Sequence, residues 1–362
     1  MFKLSTLGIA SSAGNLFMKH FTLSFLLFFL CSLGSSAQKG LEKSIDSLLQ
    51  STSPRPFNGV ILIAKNGQPT YQKSHGYSNL ATKKQLNIND QFLIASISKQ
   101  FTAALVLQEQ ELGHLKTEQN IRHYLPEFKQ QWADSVSVQQ LLNHTSGITS
   151  WDKSLVFKPG ARFSYSNINY AILGKIIEKT SGKSYAALTA ALFKRCKMPS
   201  STVPPLQNGK DRSIRLVKGH AENADEKFEE ENILNLLDSP PMGIPATGMI
   251  STAADLTQWM HILYNGQLLT VSSYQEMIRN TVTRPHRWGE VKYGDGIQVD
   301  QLDKIDELSM SGYVPGFIST MIYYPQTKVS IVVLENISPA PNDMNRVFYF
   351  HDQIRKLYRN SL

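Results

Sequence analysis

Cysteine is almost absent, with two in 362 residues. Cys31 lies in an apolar stretch near the N-terminus and Cys196 stands alone beyond it, so once that stretch is removed no internal disulfide can form and a thiol mechanism has no support. Phosphate-loop and zinc signatures are missing too: there is no Gly-x-Gly-x-x-Gly and no His-Glu-x-x-His, and Gly182-Lys183-Ser184 has Ile177 where a phosphate loop needs glycine. No cofactor and no metal is therefore expected. Without a Gly-x-Ser-x-Gly elbow, His144 in its His-Thr-Ser-Gly turn has little support as a member of a Ser-His-Asp triad. Basic runs interleaved with aromatics are lacking, and a net charge of +8 is mild at this length, so nucleic acid is not an expected partner.

A long apolar run is also missing. Phe21 to Leu33 is about 13 residues, against the roughly 20 that span a bilayer. Preceded by Lys19 and His20 and followed by Ser35-Ser36-Ala37, it reads as a signal peptide over 1–37, with Met18 as an alternative start. Leu30 stands where a lipidated cysteine at position 31 would want a small residue, so lipid attachment is not expected. The expectation is an exported protein, periplasmic or secreted, whose mature chain 38–362 has no membrane span and acts as a monomer.

What is present is a globular composition, 41% hydrophobic and 10% aromatic, enough for one or two domains. Gly59 to Tyr77 reads as strand, Asn66-Gly67 turn, strand, and a second hairpin follows at Phe317 to Tyr324 and Val329 to Glu335 around residues 325–328. Between them helical periods dominate: Ser96 to Leu112, Val138 to Asn143, Tyr170 to Thr180 closed by Gly182, and Thr252 to Tyr264 closed by Gly266. A last helical period covers Met344 to Tyr358. This predicts an α/β protein of α+β type: an antiparallel sheet built from both chain ends (about 38–95 and 290–362), flanked by helices, with a helical lobe at about 96–289. Pro199 to Asp211 reads as a surface loop, and Glu222 to Asn232 as a solvated acidic face.

The chemistry is expected at Phe92 to Ala103, where Ser96 precedes Lys99 by three residues at the start of an apolar helical period. Residues so spaced share a face, and a lysine kept neutral by burial can take a serine's proton. Isolated, such a pair is a common helical turn. In Phe157 to Gly182, Tyr165 and Asn167 flank Ser166 between a Pro-Gly turn and a helix, where a phenol acidified by a nearby cation could shuttle a proton and an amide could bind substrate.

Taken in order, these segments resemble the serine β-lactamase and penicillin-binding protein family, closest to its class C branch with the related esterases and DD-peptidases. Ser96-Ile97-Ser98-Lys99 matches the first motif and Tyr165-Ser166-Asn167 the second, while Leu141 to Ile148 and Thr247 to Leu256 resemble further family segments. The resemblance implies a β-lactamase/transpeptidase-like fold, Ser96, Lys99 and Tyr165 as catalytic residues, an oxyanion hole from the amides of Ser96 and Tyr313, and substrate binding by Asn167, Ser311 and Gly312. It implies acyl transfer on a small-molecule or peptide substrate: a β-lactam, an ester or a D-amino-acid peptide. DD-peptidase or esterase action, or a non-catalytic envelope binding protein, are the alternatives. One departure stands out. Met310 occupies the place of the family's lysine or histidine before Ser311-Gly312, so a charge is missing there unless His286, Arg287 or Lys304 supplies it.

Overall fold

Asn66 (φ 52°) and Gly67 (φ 76°) both take the left-handed conformation that a two-residue hairpin turn requires, and so fix the register of the first two strands. The structure, a computed structural model, describes residues 39–204, 215–233, 243–279 and 281–362. The expected signal peptide, with Cys31, and most of the 199–211 loop lie outside the described residues.

Eight strands form the main sheet: β1 (Gly59–Lys65), β2 (Gln68–His75), β3 (Val282–His286), β4 (Gly289–Tyr293), β5 (Gln298–Leu302), β6 (Ile305–Val314), β7 (Phe317–Tyr324) and β8 (Val329–Glu335). Their order is β2-β1-β8-β7-β6-β5-β4-β3, and every pairing is antiparallel. The two ends of the chain meet at β1 and β8, from Gly59 opposite Glu335 to Lys65 opposite Val329. β7 and β8 are buried along their whole length, which is why they read as unbroken apolar runs rather than alternating ones. β3 and β4 carry Arg, Pro, Glu and Lys among few apolar residues, so no strand period announces them.

Three helices organise the region around the site: α1 (Ser98–Glu111), α2 (Asn167–Ser181) and α3 (Ala253–Tyr264). α1 is buried at eleven of its fourteen positions, so it is a core helix with no solvated stripe. Trp259 of α3 stacks on Phe101 of α1 at 4.0 Å, and its indole N–H donates to Gln100 at 2.7 Å, tying the helical lobe to the helix that covers β1 and β8. α2 ends at Gly182 (φ 68°) as expected, and begins at Asn167, three residues before its apolar period does.

The acidic stretch is solvated at Asp225, Glu226, Glu229 and Glu230, as expected, and departs from expectation at one residue: two short strands, His220–Glu222 and Phe228–Glu230, overlap it, and the Glu222 side chain is buried in a bidentate pair with Arg346 at 2.6 Å. An arginine over a hundred residues away gives no sign in the local sequence. Among the described residues, 39–51 and 352–362 form a separate compact unit, in which 39–48 are helical.

Candidate active site

Ser96 sits in a 3-10 turn, Ala95–Ile97, immediately before α1. Ala95 takes φ 48°, a left-handed conformation that costs a non-glycine residue about 1–3 kcal/mol and persists only where surroundings fix it. They do so here: the Ser319 hydroxyl donates to Ile94 O at 2.7 Å, and Ile94 N donates to Met249 O at 2.9 Å. Gly312 packs so close that a Cβ there would lie 2.8 Å from Ser96 N and 2.6 Å from Ile94 O. That contact brings the strand carrying Tyr313 against the serine's backbone, the placement the expected oxyanion hole needs.

Lys99 is wholly buried, and burial pushes its amine well below the usual lysine range. Its Nζ lies 3.1 Å from Ser96 Oγ, 2.7 Å from Asn167 Oδ1 and 2.9 Å from Ala246 O. A neutral amine has two N–H groups and one lone pair. The two oxygens of Asn167 and Ala246 accept only, so in the neutral form, which burial favours, they can take both protons and leave the lone pair for the Ser96 hydroxyl. Asn167, in the first turn of α2, holds Lys99 through this contact.

Tyr165 completes the cluster, its hydroxyl 2.6 Å from Ser96 Oγ and its ring 4.8 Å from Lys99 Nζ. The expected acidification is not found: burial pushes the phenol up to about 12, against the opposing effects of the Ser96 hydrogen bond and the Arg284 charge. Two-fifths of the residue is open to the groove, so water there screens part of that rise without reversing it. His144, expected as a turn residue, has a left-handed φ of 60° but is fully buried behind Tyr165, with ring centroids 4.5 Å apart. Its Nδ1 accepts from Ser166 N–H at 3.2 Å, and burial, then the charges of Lys99 and Arg284, hold it neutral. It supports the Tyr165 segment and has no hydrogen bond to Ser96, so no Ser-His-Asp triad forms.

A sequence profile of the Beta-lactamase family matches residues 55–355. The chain belongs to the Beta-lactamase family. Penicillin-binding protein 4* of Bacillus subtilis (strain 168) is 28% identical over 332 residues, covering 82% of this chain and 72% of that protein. Protein flp of Staphylococcus aureus (strain N315) is 25% identical, with 84% of this chain covered, and this chain spans 64% of it. Among solved structures, a D-amino acid amidase from Ochrobactrum anthropi SV3 complexed with L-phenylalanine amide has TM-score 0.74 at 21% identity, covering 89% of this chain and 99% of that one. A penicillin binding protein from Bacillus halodurans has TM-score 0.71 at 22% identity, covering 88% and 98%. At such identities the structural likeness establishes the fold.

In this Beta-lactamase family chain, a cavity of about 500 Å3 opens at Ser96, with Tyr165, Met310, Ser311 and Tyr313 in its wall. Met310 is buried and uncharged, as its sequence position warned. Of the three cations proposed to replace it, Arg287 reaches Ser311 Oγ at 3.3 Å, His286 lines the cavity and accepts from Arg287 at 2.9 Å, and Lys304 is not among the lining residues. The Arg287 guanidinium stacks 3.9 Å from the Phe348 ring centroid, which fixes it over the groove. Arg284, also in the wall, was not singled out from sequence. Only the β3–β4 hairpin, invisible as a period, brings it there.

Proposed function

We propose that this protein is a serine hydrolase that works through an acyl-enzyme at Ser96. The observation that carries the reading is the buried Lys99 amine 3.1 Å from the Ser96 hydroxyl with both its N–H groups already engaged. Lys99 takes the Ser96 proton as Oγ attacks the carbonyl, and the developing oxyanion turns to the amides of Ser96 and Tyr313. Tyr165 gives its proton to the leaving nitrogen or oxygen as that bond breaks. Water then cleaves the ester and restores Ser96. The substrate class is an amide, ester or lactam of amino-acid type, a reading supported by neighbours titled D-amino acid amidase and D-alanine carboxypeptidase. The proposal includes export through residues 1–37, with 38–362 as one hydrolase domain.

The test is to incubate the mature chain with a fluorescent penicillin and with an activated phosphonate, then to locate the adduct by mass spectrometry. A single adduct on Ser96, lost in Ser96→Ala, is the expected result; labelling that survives in the alanine variant removes the mechanism.

Arg287 decides between substrates within this class. With no carboxylate in the cavity wall and a guanidinium beside Ser311, the groove suits an acyl donor that bears an anionic group. The deficit at Met310 would then be offset from the neighbouring hairpin. Arg287→Gln is expected to raise KM for a carboxylate-bearing substrate by roughly 10- to 100-fold, the cost of one charge-assisted contact. A smaller change is expected for its methyl ester, and equal changes for acid and ester would show that Arg287 does not read the anion.

A further inference from the structure

We propose that Arg284 is the fixed cation that stabilises Tyr165 as a phenolate when that phenol surrenders its proton, making it a positioning residue for the acyl transfer. The inference rests on the serine-hydrolase reading above. Along β3, burial alternates so that Val282, Arg284 and His286 share one face, and pairing of Arg284 with Val291 of β4 sets its height in the groove. The guanidinium lies 5.1 Å from the Phe163 ring centroid and 5.8 Å from that of Tyr293. Phe163 is two residues before Tyr165, and Tyr293 packs on His144, which packs on Tyr165. Arg284 is thus clamped to the same aromatic cluster that backs the phenol.

Arg287, the other guanidinium in the cavity wall, is held at Ser311 and over the Phe348 ring, and the remaining ionisable groups around Tyr165 supply no standing positive charge. His144 is kept neutral by burial, and Tyr170, Tyr293 and Asp295 are pushed up by burial, so their protonated, neutral forms are favoured. Burial favours the neutral form of Lys99 until Ser96 gives it a proton. Arginine is charged throughout. When the substrate's C–N or C–O bond breaks, its electron pair goes to the leaving atom, the Tyr165 proton follows, and a phenolate is left in the cavity whose wall Arg284 shares. The Lys99 ammonium, which shares Ser96 Oγ with the phenol, then returns a proton to it, and the charges balance.

A leaving group that needs no proton should be indifferent to Arg284, and one that needs a proton should not. The experiment compares 4-nitrophenyl and ethyl esters of N-acetyl-D-alanine on the mature chain and its Arg284→Met and Arg284→Lys variants. Expected for Arg284→Met is a fall in kcat of roughly 10- to 100-fold on the ethyl ester, the scale of one charge-assisted interaction, with a much smaller fall on the nitrophenyl ester. The alkaline limb of the ethyl-ester profile should move to higher pH and move back in Arg284→Lys. Equal losses on both esters, a change confined to KM, or a Lys variant that stays as slow as the Met variant each overturn the proposal. Phosphonate labelling of Ser96 separates the two layers: an unlabelled wild-type chain sinks the hydrolase reading, whereas a labelled chain without leaving-group dependence sinks only the role of Arg284.

Discussion

Lys99→Met lowers kcat/KM by about 10²- to 10⁴-fold, the range expected when a positioned general base is removed, while the chain stays folded. Methionine fills the same buried volume without a proton acceptor, so Ser96 keeps its place in the turn but loses the group that activates it. The wild-type pH profile is the companion measurement. Burial holds the Lys99 amine well below 10.5, so the reactive neutral form dominates above that lowered value and turnover falls as the pH drops through it. Stability has the same sign. An unfolded chain binds the Lys99 proton more tightly than the folded one, so folding gains stability as pH rises from the lowered value towards 10.5. At neutral pH the buried amine therefore costs stability, and Lys99→Met should unfold at the same or a higher denaturant concentration than wild type. A variant that turns over normally, or one that unfolds early, contradicts the reading.

The second large effect is structural, and lies in a buried cluster that ties the segment before β1 to the end of β8. Arg55 donates to both Glu335 oxygens at 2.7 Å and to the carbonyls of Pro56, Arg346 and Val347, while His351 Nε2 meets Glu335 Oε1 at 2.9 Å. Arg55, Glu335 and His351 are all buried. Burial pushes the Glu335 carboxyl up, but Arg55 and His351 more than offset it and leave it below the usual range. Burial also lowers His351, whose Nε2–H then donates to the carboxylate as a neutral imidazole. Arg55→Met strands a buried carboxylate and is expected to cost about 3–5 kcal/mol in urea denaturation, whereas Arg55→Met with Glu335→Met recovers most of it. A double variant as unstable as the single one would place the stabilisation elsewhere. The pH window of this cluster follows from two lowered values: its contribution to stability is complete above 6.5, falls below it as unfolded His351 gains a proton, and falls further below 4.5 as unfolded Glu335 does.

Much of the fold was legible because its signals are local. Asn66-Gly67 dictates a hairpin by backbone conformation alone, and the apolar runs at β7 and β8 have the length and composition of strands buried on both faces. The spacing of Ser96 and Lys99 set their contact for the same reason, since one helical turn brings them together wherever the rest of the chain goes. Tyr165 and Asn167 could be suspected from their order along the chain, but the partition of their work could not. Asn167 faces Lys99 because α2 begins at Asn167, ahead of its first apolar repeat. The phenol of Tyr165 is raised rather than acidified because burial outweighs Arg284, and burial is a property of the packed site.

The sequence by itself determined the serine proposed as nucleophile, its amine neighbour and the hairpins, each a matter of a few consecutive residues. Tertiary structure alone decided which cations reach the groove beside Met310. Arg284 and Arg287 sit on or beside a short polar strand with no period to betray it, and they enter the groove only because β3 pairs at the far edge of an eight-stranded sheet. The same holds for Arg55 and Glu335, 280 residues apart, whose attraction has meaning only after β1 has met β8. Charges act through distance in space, and distances between remote segments exist only in the folded chain.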